Sequence, residues 1–314
     1  MKLDLIIATC NRQDLLKRAL ESVLRATQPA GLELTVTVVD NKSRDNTKQV
    51  VEALQPKFGG RLNYLFEARQ GKSFALNAAI AATTGTHVGM IDDDEEIADD
   101  WLVQCLAAFA DENVDFIGGP YLPRWGADQP AWLPMTYKGV IGWVEVANEP
   151  AVFDCKFSGM LMGGNCVFTR EILTQAGPYS TVLNRTERLL LAGEDEDMYH
   201  RLLSLGAHGR YLPNLVIHHF IPPERLTKQY FRRWCFWRGV SLGLMDRQQG
   251  RHDVAYLAGV PRYVIGRAVR SIARGVARTF GIRKDTPDQS FTDLLSLFDL
   301  AGFAYGKHLY KPQA

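Results

Sequence analysis

The fold of this chain is organised around the stretch Thr86-His87-Val88-Gly89-Met90-Ile91-Asp92-Asp93-Asp94-Glu95-Glu96. An apolar run ends here in five consecutive carboxylates. Side chains alternate along a strand, so we expect Asp92 and Asp94 on one side and Asp93 on the other. Two neighbouring carboxylates repel each other unless a cation lies between them, and Mg²⁺ or Mn²⁺ suits such oxygen ligands. The stretch predicts a divalent-metal site for a phosphate-bearing ligand; an acidic surface turn leading into a helix is the alternative.

Strand and helix patterns alternate through the first hundred residues. Apolar or β-branched runs at 3–9, 34–40, 63–66 and 87–91 alternate with runs of helical spacing at 14–26, 47–54 and 73–83. This rhythm predicts an α/β fold with a doubly wound, mostly parallel sheet. Ligands of such sheets bind beyond the carboxyl ends of the strands, where Thr9, Asp40 and Asp92 are expected.

Composition narrows the class of protein. The chain has 36 Lys+Arg against 35 Asp+Glu, a net charge of +1, so its bulk charge does not indicate a nucleic-acid partner. Five cysteines without paired spacing favour reduced thiols in the cytoplasm. Asp4 breaks the first apolar run, which therefore lacks a signal peptide's apolar core, and no run approaches the roughly 18 to 20 residues that span a bilayer.

The composition changes after Pro222-Pro223, which predicts a first domain over 1–222 and an α-helical extension over 223–314. The extension contains a helical pattern with apolar residues on one face and arginines on the other. Such a basic amphipathic helix is typical of a membrane-surface element and predicts peripheral association with an anionic membrane at its cytoplasmic face. An ordinary packed helix with a solvated arginine face is the alternative. The apolar positions are Ile265, Val269, Ile272, Val276 and Phe280, and the arginines are Arg267, Arg270, Arg274 and Arg278.

Several ordered motifs resemble those of family 2 glycosyltransferases, which are inverting enzymes with a Rossmann-like glycosyltransferase A fold. They are Ile7-Ala8-Thr9-Cys10-Asn11-Arg12, Val38-Val39-Asp40-Asn41, the segments 67–77 and 91–95, Met162-Gly163-Gly164-Asn165 and Gly193-Glu194-Asp195-Glu196-Asp197. The resemblance implies a nucleoside diphosphate sugar as donor, with a UDP-sugar favoured, and Mn²⁺ or Mg²⁺ as cofactor. It also implies a glycan or lipid-linked acceptor, as in the synthesis of cell-surface polysaccharide or glycolipid.

The resemblance also assigns roles to residues of this chain. It implies a donor site formed by Thr9, Asn11, Arg12, Asp40, Arg69, Lys72, Asn77, Asp92 and Asp93. It implies that Asp92 and Asp94 hold the metal, with His218 as either a further ligand or a structural histidine. Leu76 stands where the family usually has an arginine, so basic contacts are expected from Arg69 or Lys72.

The acceptor side depends on a second set of residues. The resemblance implies that Asp195 is the general base, with Glu194 as the other candidate, and a helix cap is the alternative role for both. Gly164 and Asn165 are expected beside the acceptor. Trp125 and Trp132 lie in a Pro/Trp-rich loop, where they either stack on a sugar or fill a hydrophobic seam.

Two other functions are weighed against the sequence features of this chain: a nucleotidyltransferase and a catalytically silent scaffold. A nucleotidyltransferase uses a related sheet, but it would normally carry a Gly-rich basic loop after the first strand, which is absent between Ala8 and Arg12. A catalytically silent nucleotide-sugar-binding scaffold would be expected to have lost Asp92, Asp94 or Asp195, and all three are present.

Overall fold

The protein is described from a computed structural model that covers residues 1–182, 193–249 and 254–310. Its strands are β1 (Lys2–Thr9), β2 (Glu33–Asp40), β3 (Leu62–Phe66), β4 (His87–Asp92), β5 (Glu95–Ile97), β6 (Phe116–Gly118), β7 (Tyr121–Trp125), β8 (Ala151–Phe153), β9 (Asn165–Thr169), β10 (Gly209–Tyr211), β11 (Ile217–Ile221), β12 (Tyr256–Leu257) and β13 (Val260–Pro261). Its α-helices are α1 (Gln13–Arg25), α2 (Thr47–Leu54), α3 (Lys72–Ala82), α4 (Trp101–Ala108), α5 (Arg170–Ala176), α6 (Glu194–Ser204), α7 (Lys228–Gln249), α8 (Arg262–Thr279) and α9 (Pro287–His308).

The main sheet has the strand order β3-β2-β1-β4-β9-β6-β10-β8. The pairs β1–β2, β2–β3 and β1–β4 are parallel, as helical crossovers between successive strands require. Strand β9 runs antiparallel to both β4 and β6, and β8 runs antiparallel to β10. The predicted mostly parallel α/β sheet is confirmed.

A hydrophobic core lies on each face of this sheet, and the alternation of β1 supplies both. Leu5 and Ile7 pack into one core with Leu16 of α1, whereas Ile6 packs into the other with Leu76 of α3. A strand that is buried on both faces reads as a continuous apolar run, which is how β1 appears in the sequence. The polar residues that follow each strand are thereby left at the sheet edge.

A smaller sheet with the order β5-β11-β7 adjoins the end of β4. Strands β5 and β11 are antiparallel, with His219 opposite Glu95 and His218 opposite Glu96. Opposed residues share one face of a sheet, and adjacent residues point to opposite faces. This register therefore places His219 on the same face as Glu95, and His218 on the opposite face with Glu96.

The chain forms two compact units. Residues 1–124, 143–182 and 194–220 form the first, while 125–142 and the described residues from 221 onward belong mainly to the second. The sequence placed the boundary at 222 and assigned 125–142 to the first domain. No helix in the described ranges is long and apolar enough to cross a membrane.

Helices α7 and α9 of the second unit pack through facing glycines. Gly239 and Gly243 on α7 lie against the backbone of α9, and Gly302 and Gly306 on α9 lie against the backbone of α7. A Cβ on Gly302 would overlap the carbonyl oxygen of Phe236. The four glycines therefore permit a close approach that any side chain would prevent.

Helix α8 turns three of its arginines toward α9. Arg274 Nη2 lies 2.5 Å from Asp293 Oδ1, Arg278 Nη1 lies 2.7 Å from Asp293 Oδ2, and Arg267 lies 4.0 Å from Asp299. Asp293 and Asp299 are buried. These three arginines are held by buried carboxylates while their own side chains stay partly exposed, so the arginine face that the packed-helix alternative expected to be solvated is only partly so.

Candidate active site

Three carboxylates converge where β4 ends. Residues 93 and 94 form a turn between β4 and β5, so the simple strand alternation expected from the sequence stops at Asp92. Asp92, Asp94 and Glu95 each offer an oxygen atom within 4.8 Å of the others. Asp92 and Asp94 were predicted to share a side, whereas Glu95 was not predicted to join them.

The surroundings of Glu95 indicate whether this cluster suits a metal ion. Its Oε2 accepts a 2.7 Å hydrogen bond from the backbone N–H of Asp92, while its Oε1 is buried without a hydrogen-bond partner among the described residues. Burial, followed by the charges of Asp92 and Asp94, raises the pKa of Glu95 well above its usual range. A buried oxygen atom without a donor, beside two further carboxylates, is a donor set that fits a divalent cation.

Asp93 faces away from the cluster, toward the end of β1. Its Oδ2 accepts a 2.8 Å hydrogen bond from Thr9 Oγ1, and its Oδ1 accepts one of 2.9 Å from Arg12. The same Arg12 nitrogen lies 3.1 Å from Asp94 Oδ2. The charge of Asp93 raises the pKa of Arg12 despite burial, so Arg12 is a permanent cation that joins β1 to the acidic turn.

Lys72, the first residue of α3, supplies a second cation. Its Nζ lies 2.6 Å from Asp92 Oδ1, and only 18% of its side chain is exposed. Burial favours the neutral amine, but the carboxylates of Asp92, Asp195 and Glu194 outweigh it and raise the pKa of Lys72. Lys72 is therefore charged and lies between the acidic cluster and the start of α6.

Gly163 and Gly164 lie beside members of two groups of carboxylates: the cluster of Asp92, Asp94 and Glu95, and the pair Glu194 and Asp195. A Cβ on Gly164 would lie 2.5 Å from Glu95 Oε1, and a Cβ on Gly163 would overlap Asp195 Oδ1. Glu95 and Asp195 therefore lie against consecutive glycines just before β9. Glu194 is buried beside Asp195 in the first turn of α6, where a helix favours negative charge.

The histidine that approaches the cluster is His219, not His218. His219 Nε2 lies 3.6 Å from Asp94 Oδ2, and His219 is buried. His218 is exposed and shares the opposite face of the small sheet with Glu96. The prediction of His218 as a metal ligand is wrong because adjacent residues of a strand point to opposite faces.

Two predicted donor-site residues accept hydrogen bonds that hold the loops after β1 and β2. Asp40 is buried and accepts 2.7 Å bonds from the Ser43 backbone N–H and the Tyr64 hydroxyl. The Asn11 side-chain oxygen accepts a 2.7 Å bond from the Arg44 backbone N–H. These bonds fix the loops at the sheet edge where a nucleotide was expected.

The loop before α3 is held by a residue to which the sequence assigned no role. Asn41 donates a 2.7 Å hydrogen bond to the Arg69 carbonyl oxygen and accepts one of 2.6 Å from the Gly71 backbone N–H. Arg69 itself is largely exposed, and its guanidinium lies 2.7 Å from Glu67. The structure places Arg69 on the rim and Lys72 in the interior.

Asn77 and Asn165 have structural roles. Asn77 exchanges hydrogen bonds of 2.9 and 2.8 Å with the backbone of Tyr179. Asn165 is fully buried and bonds to Trp101, Pro120 and Leu215. The prediction that Asn165 contacts the acceptor is wrong, since its side chain is enclosed by these partners.

The two tryptophans of the predicted sugar-contacting loop belong to the second unit. Trp132 packs edge-on against Phe231 and Phe291, with ring centroids 5.3 Å from each. It fills a hydrophobic seam, the second of its two predicted roles. Trp125 is half-buried at the end of β7.

Sequence reasoning missed Glu95, His219 and Asn41. Glu95 stands within the acidic run and His219 within the His-His pair, so both lay in segments that had been singled out. Their roles depend on the turn at 93–94 and on the β5–β11 register, which no local pattern specifies. Asn41 follows a predicted strand and could have been found from that position.

Comparisons with known proteins give a matching family and relatives that align with most of this chain. Residues 4–174 match the family model described as glycosyl transferase family 2. Succinoglycan biosynthesis protein ExoM of Rhizobium meliloti is 23% identical over 255 residues, 77% of this chain and 74% of its own. Glucosyl-dolichyl phosphate glucuronosyltransferase of Haloferax volcanii is 24% identical over 254 residues, 78% of each chain.

A solved structure resembles the chain over nearly its whole length. It is the mannosyltransferase PcManGT from Pyrobaculum calidifontis, in complex with GDP-Man and Mn²⁺. The TM-score is 0.67 at 20% identity, with 98% of this chain and 88% of that one covered. At this identity the likeness concerns the fold.

Proposed function

The chain belongs to glycosyl transferase family 2, and from this we propose that it moves a hexose from a nucleoside diphosphate sugar to an acceptor hydroxyl with inversion at the anomeric carbon. The donor we propose is a UDP-sugar, and the acceptor is a glycan or a lipid-linked sugar of cell-surface polysaccharide or glycolipid synthesis. We place the enzyme in the cytoplasm, peripherally bound to the membrane. One observation carries the proposal: Glu95 of the acidic cluster and Asp195 lie against consecutive glycines.

The donor half of the reaction uses the acidic cluster. Asp92, Asp94 and Glu95 would hold Mn²⁺ or Mg²⁺, which supplies Lewis-acid stabilisation of charge on a leaving diphosphate. Arg12 and Lys72 keep their positive charges beside these carboxylates. The two cations limit the repulsion within the cluster and orient Asp92 and Asp94 through contacts of 2.6 and 3.1 Å.

The acceptor half uses Asp195 as general base. A hydroxyl is a weak nucleophile until its proton is removed during attack, and a positioned carboxylate can accept that proton. Direct displacement assisted by one base leaves the anomeric carbon inverted. The charged Lys72 interacts electrostatically with Asp195 as well as with Asp92, so it belongs to both halves of the proposed site.

Calorimetric titration of the full chain with UDP and GDP, each with and without Mn²⁺, tests the donor site. We expect binding that requires the metal, and tighter binding of UDP than of GDP. Asp94→Asn should lose the metal-dependent part of the binding while the fold stays intact. Asp99→Asn is the matched control, because Asp99 is an exposed acid five residues along the chain. Equal metal-dependent nucleotide binding by wild type and Asp94→Asn would contradict the assignment of Asp94 as a metal ligand.

A further inference from the structure

Helix α8 presents a row of exposed apolar side chains on the side opposite its inward arginines. Val269 is 57% exposed, Ile272 53%, Val276 50% and Phe280 74%, and Ile282 just beyond the helix is 80% exposed. Val269, Ile272 and Val276 of the helix and Phe280 at its C-cap recur every three or four residues and form one continuous stripe. We call these five residues the apolar row.

The apolar row cannot turn inward without breaking buried ion pairs. Arg274 and Arg278 contact Asp293, which is 5% exposed, and Arg267 lies near Asp299, which is 2% exposed. Removing one partner from such a pair leaves an unpaired buried charge, which is strongly unfavourable. The ion pairs therefore fix α8 with its apolar row outward.

Exposed cations border the row. Arg262 lies at the beginning of α8, Arg270 beside Val269, and Lys284 just beyond Ile282. Aliphatic and aromatic side chains bordered by cations are the composition of helices that lie in the interface of an anionic bilayer. In a symmetric pair of this chain, the same cations would face one another, which disfavours a second copy as the occupant.

We propose that α8 lies on an anionic lipid bilayer, with the apolar row of Val269, Ile272, Val276, Phe280 and Ile282 inserted among the lipid chains. The sequence predicted membrane contact through a basic face, whereas three of the arginines on that face pair with carboxylates of the protein. Binding is thus mainly apolar, and the cations add a salt-sensitive part. The inference rests on the proposed function in one respect: an enzyme bound to the bilayer would encounter a lipid-linked acceptor there.

Flotation of the full chain with vesicles tests the proposal. Wild type should float with phosphatidylcholine vesicles containing phosphatidylglycerol, less at high salt but still measurably. The double variant Ile272→Asn with Val276→Asn should lower the partition coefficient roughly tenfold, because it removes two aliphatic anchors. Val152→Asn is the matched control: Val152 is 59% exposed in the first unit and should leave flotation unchanged.

Three outcomes would overturn the proposal. They are the absence of wild-type flotation, equal flotation of the double variant, and a concentration-dependent dimer in sedimentation that the double variant abolishes. The third would assign the apolar row to a second copy. Nucleotide titration without vesicles should be unchanged by the double variant, so failure of the membrane proposal and failure of the proposed activity can be told apart.

Discussion

Adjacent residues of β11 point to opposite faces, so only one of its two histidines approaches the acidic cluster. His219 is buried with its Nε2 3.6 Å from Asp94, whereas His218 is exposed on the other face. A residue that orients a metal-binding carboxylate typically changes metal affinity when it is removed. The adjacent histidines therefore offer an internal comparison.

We expect His219→Gln to weaken Mn²⁺ binding roughly 10- to 100-fold, as is typical when a partner of a metal ligand is lost. His218→Gln should bind Mn²⁺ like wild type. Titration of both variants with Mn²⁺ alone measures this directly. A larger loss in His218→Gln than in His219→Gln would contradict the register-based assignment.

Asp195→Asn should slow sugar transfer roughly 100- to 10,000-fold, because the amide cannot accept the acceptor's proton. Nucleotide and metal binding should persist, since Asp195 lies outside the cluster formed by Asp92, Asp94 and Glu95. Transfer rates and calorimetric affinities for the same preparation separate these effects. Glu196→Gln serves as control because Glu196 lies in the same helical turn and pairs with His200. Normal turnover by Asp195→Asn would exclude it as the base.

At the scale of elements, the pair α7 and α9 depends on the absence of side chains at four positions. The glycines of each helix lie against the other helix's backbone, so the two axes approach closely. Glycine in a helix costs about 0.5–1 kcal/mol relative to alanine. Close packing of the two helices offsets that cost.

Gly302→Ala should destabilise the protein by about 1–3 kcal/mol, because its Cβ would overlap the backbone of α7. The matched control is Gly275→Ala on α8, where the nearest atom to a Cβ is an Arg278 nitrogen 3.7 Å away. That substitution should stabilise by about 0.5–1 kcal/mol. Denaturant unfolding of both variants is the measurement, and the expected changes have opposite signs. Equal effects of the two substitutions would show that the helix contact is not close.

For the whole molecule, stability should respond to acid through His87 at the start of β4. Burial, and then the charge of the N-terminal amine, lowers the pKa of His87 to about 4. The pKa of the unfolded chain's histidine is about 6.5, so between these values the unfolded state binds the extra proton. Stability is therefore lost as the pH falls from about 6.5 toward 4.

Unfolding midpoints of wild type and His87→Gln across that range measure this contribution. The midpoint of wild type should fall more steeply with acid than that of His87→Gln, since glutamine does not titrate. The two curves should become parallel above about pH 7, where histidine is neutral in both states. Parallel curves throughout would show that His87 keeps its ordinary pKa in the fold.

Local patterns in the sequence were sufficient to predict the main α/β sheet, although not the extent of the two compact units. The alternation of apolar runs and helical spacing predicted the α/β sheet, because periods of 2 and 3.6 residues are properties of the chain itself. The same patterns predicted that Thr9, Asp40 and Asp92 lie at the ends of strands that finish at one edge. Carboxylates at that edge could be named from their positions alone.

Tertiary structure decided the direction in which particular side chains face. The turn at 93–94 brings Glu95 to Asp92 and Asp94, and the β5–β11 register selects His219 over His218. Partners distant in sequence enclose Asn165, and buried aspartates of α9 pair with three of the arginines of α8. A periodic pattern shows which residues share a face, but the face that is buried depends on the elements that pack against it. That information becomes available only when the chain has folded.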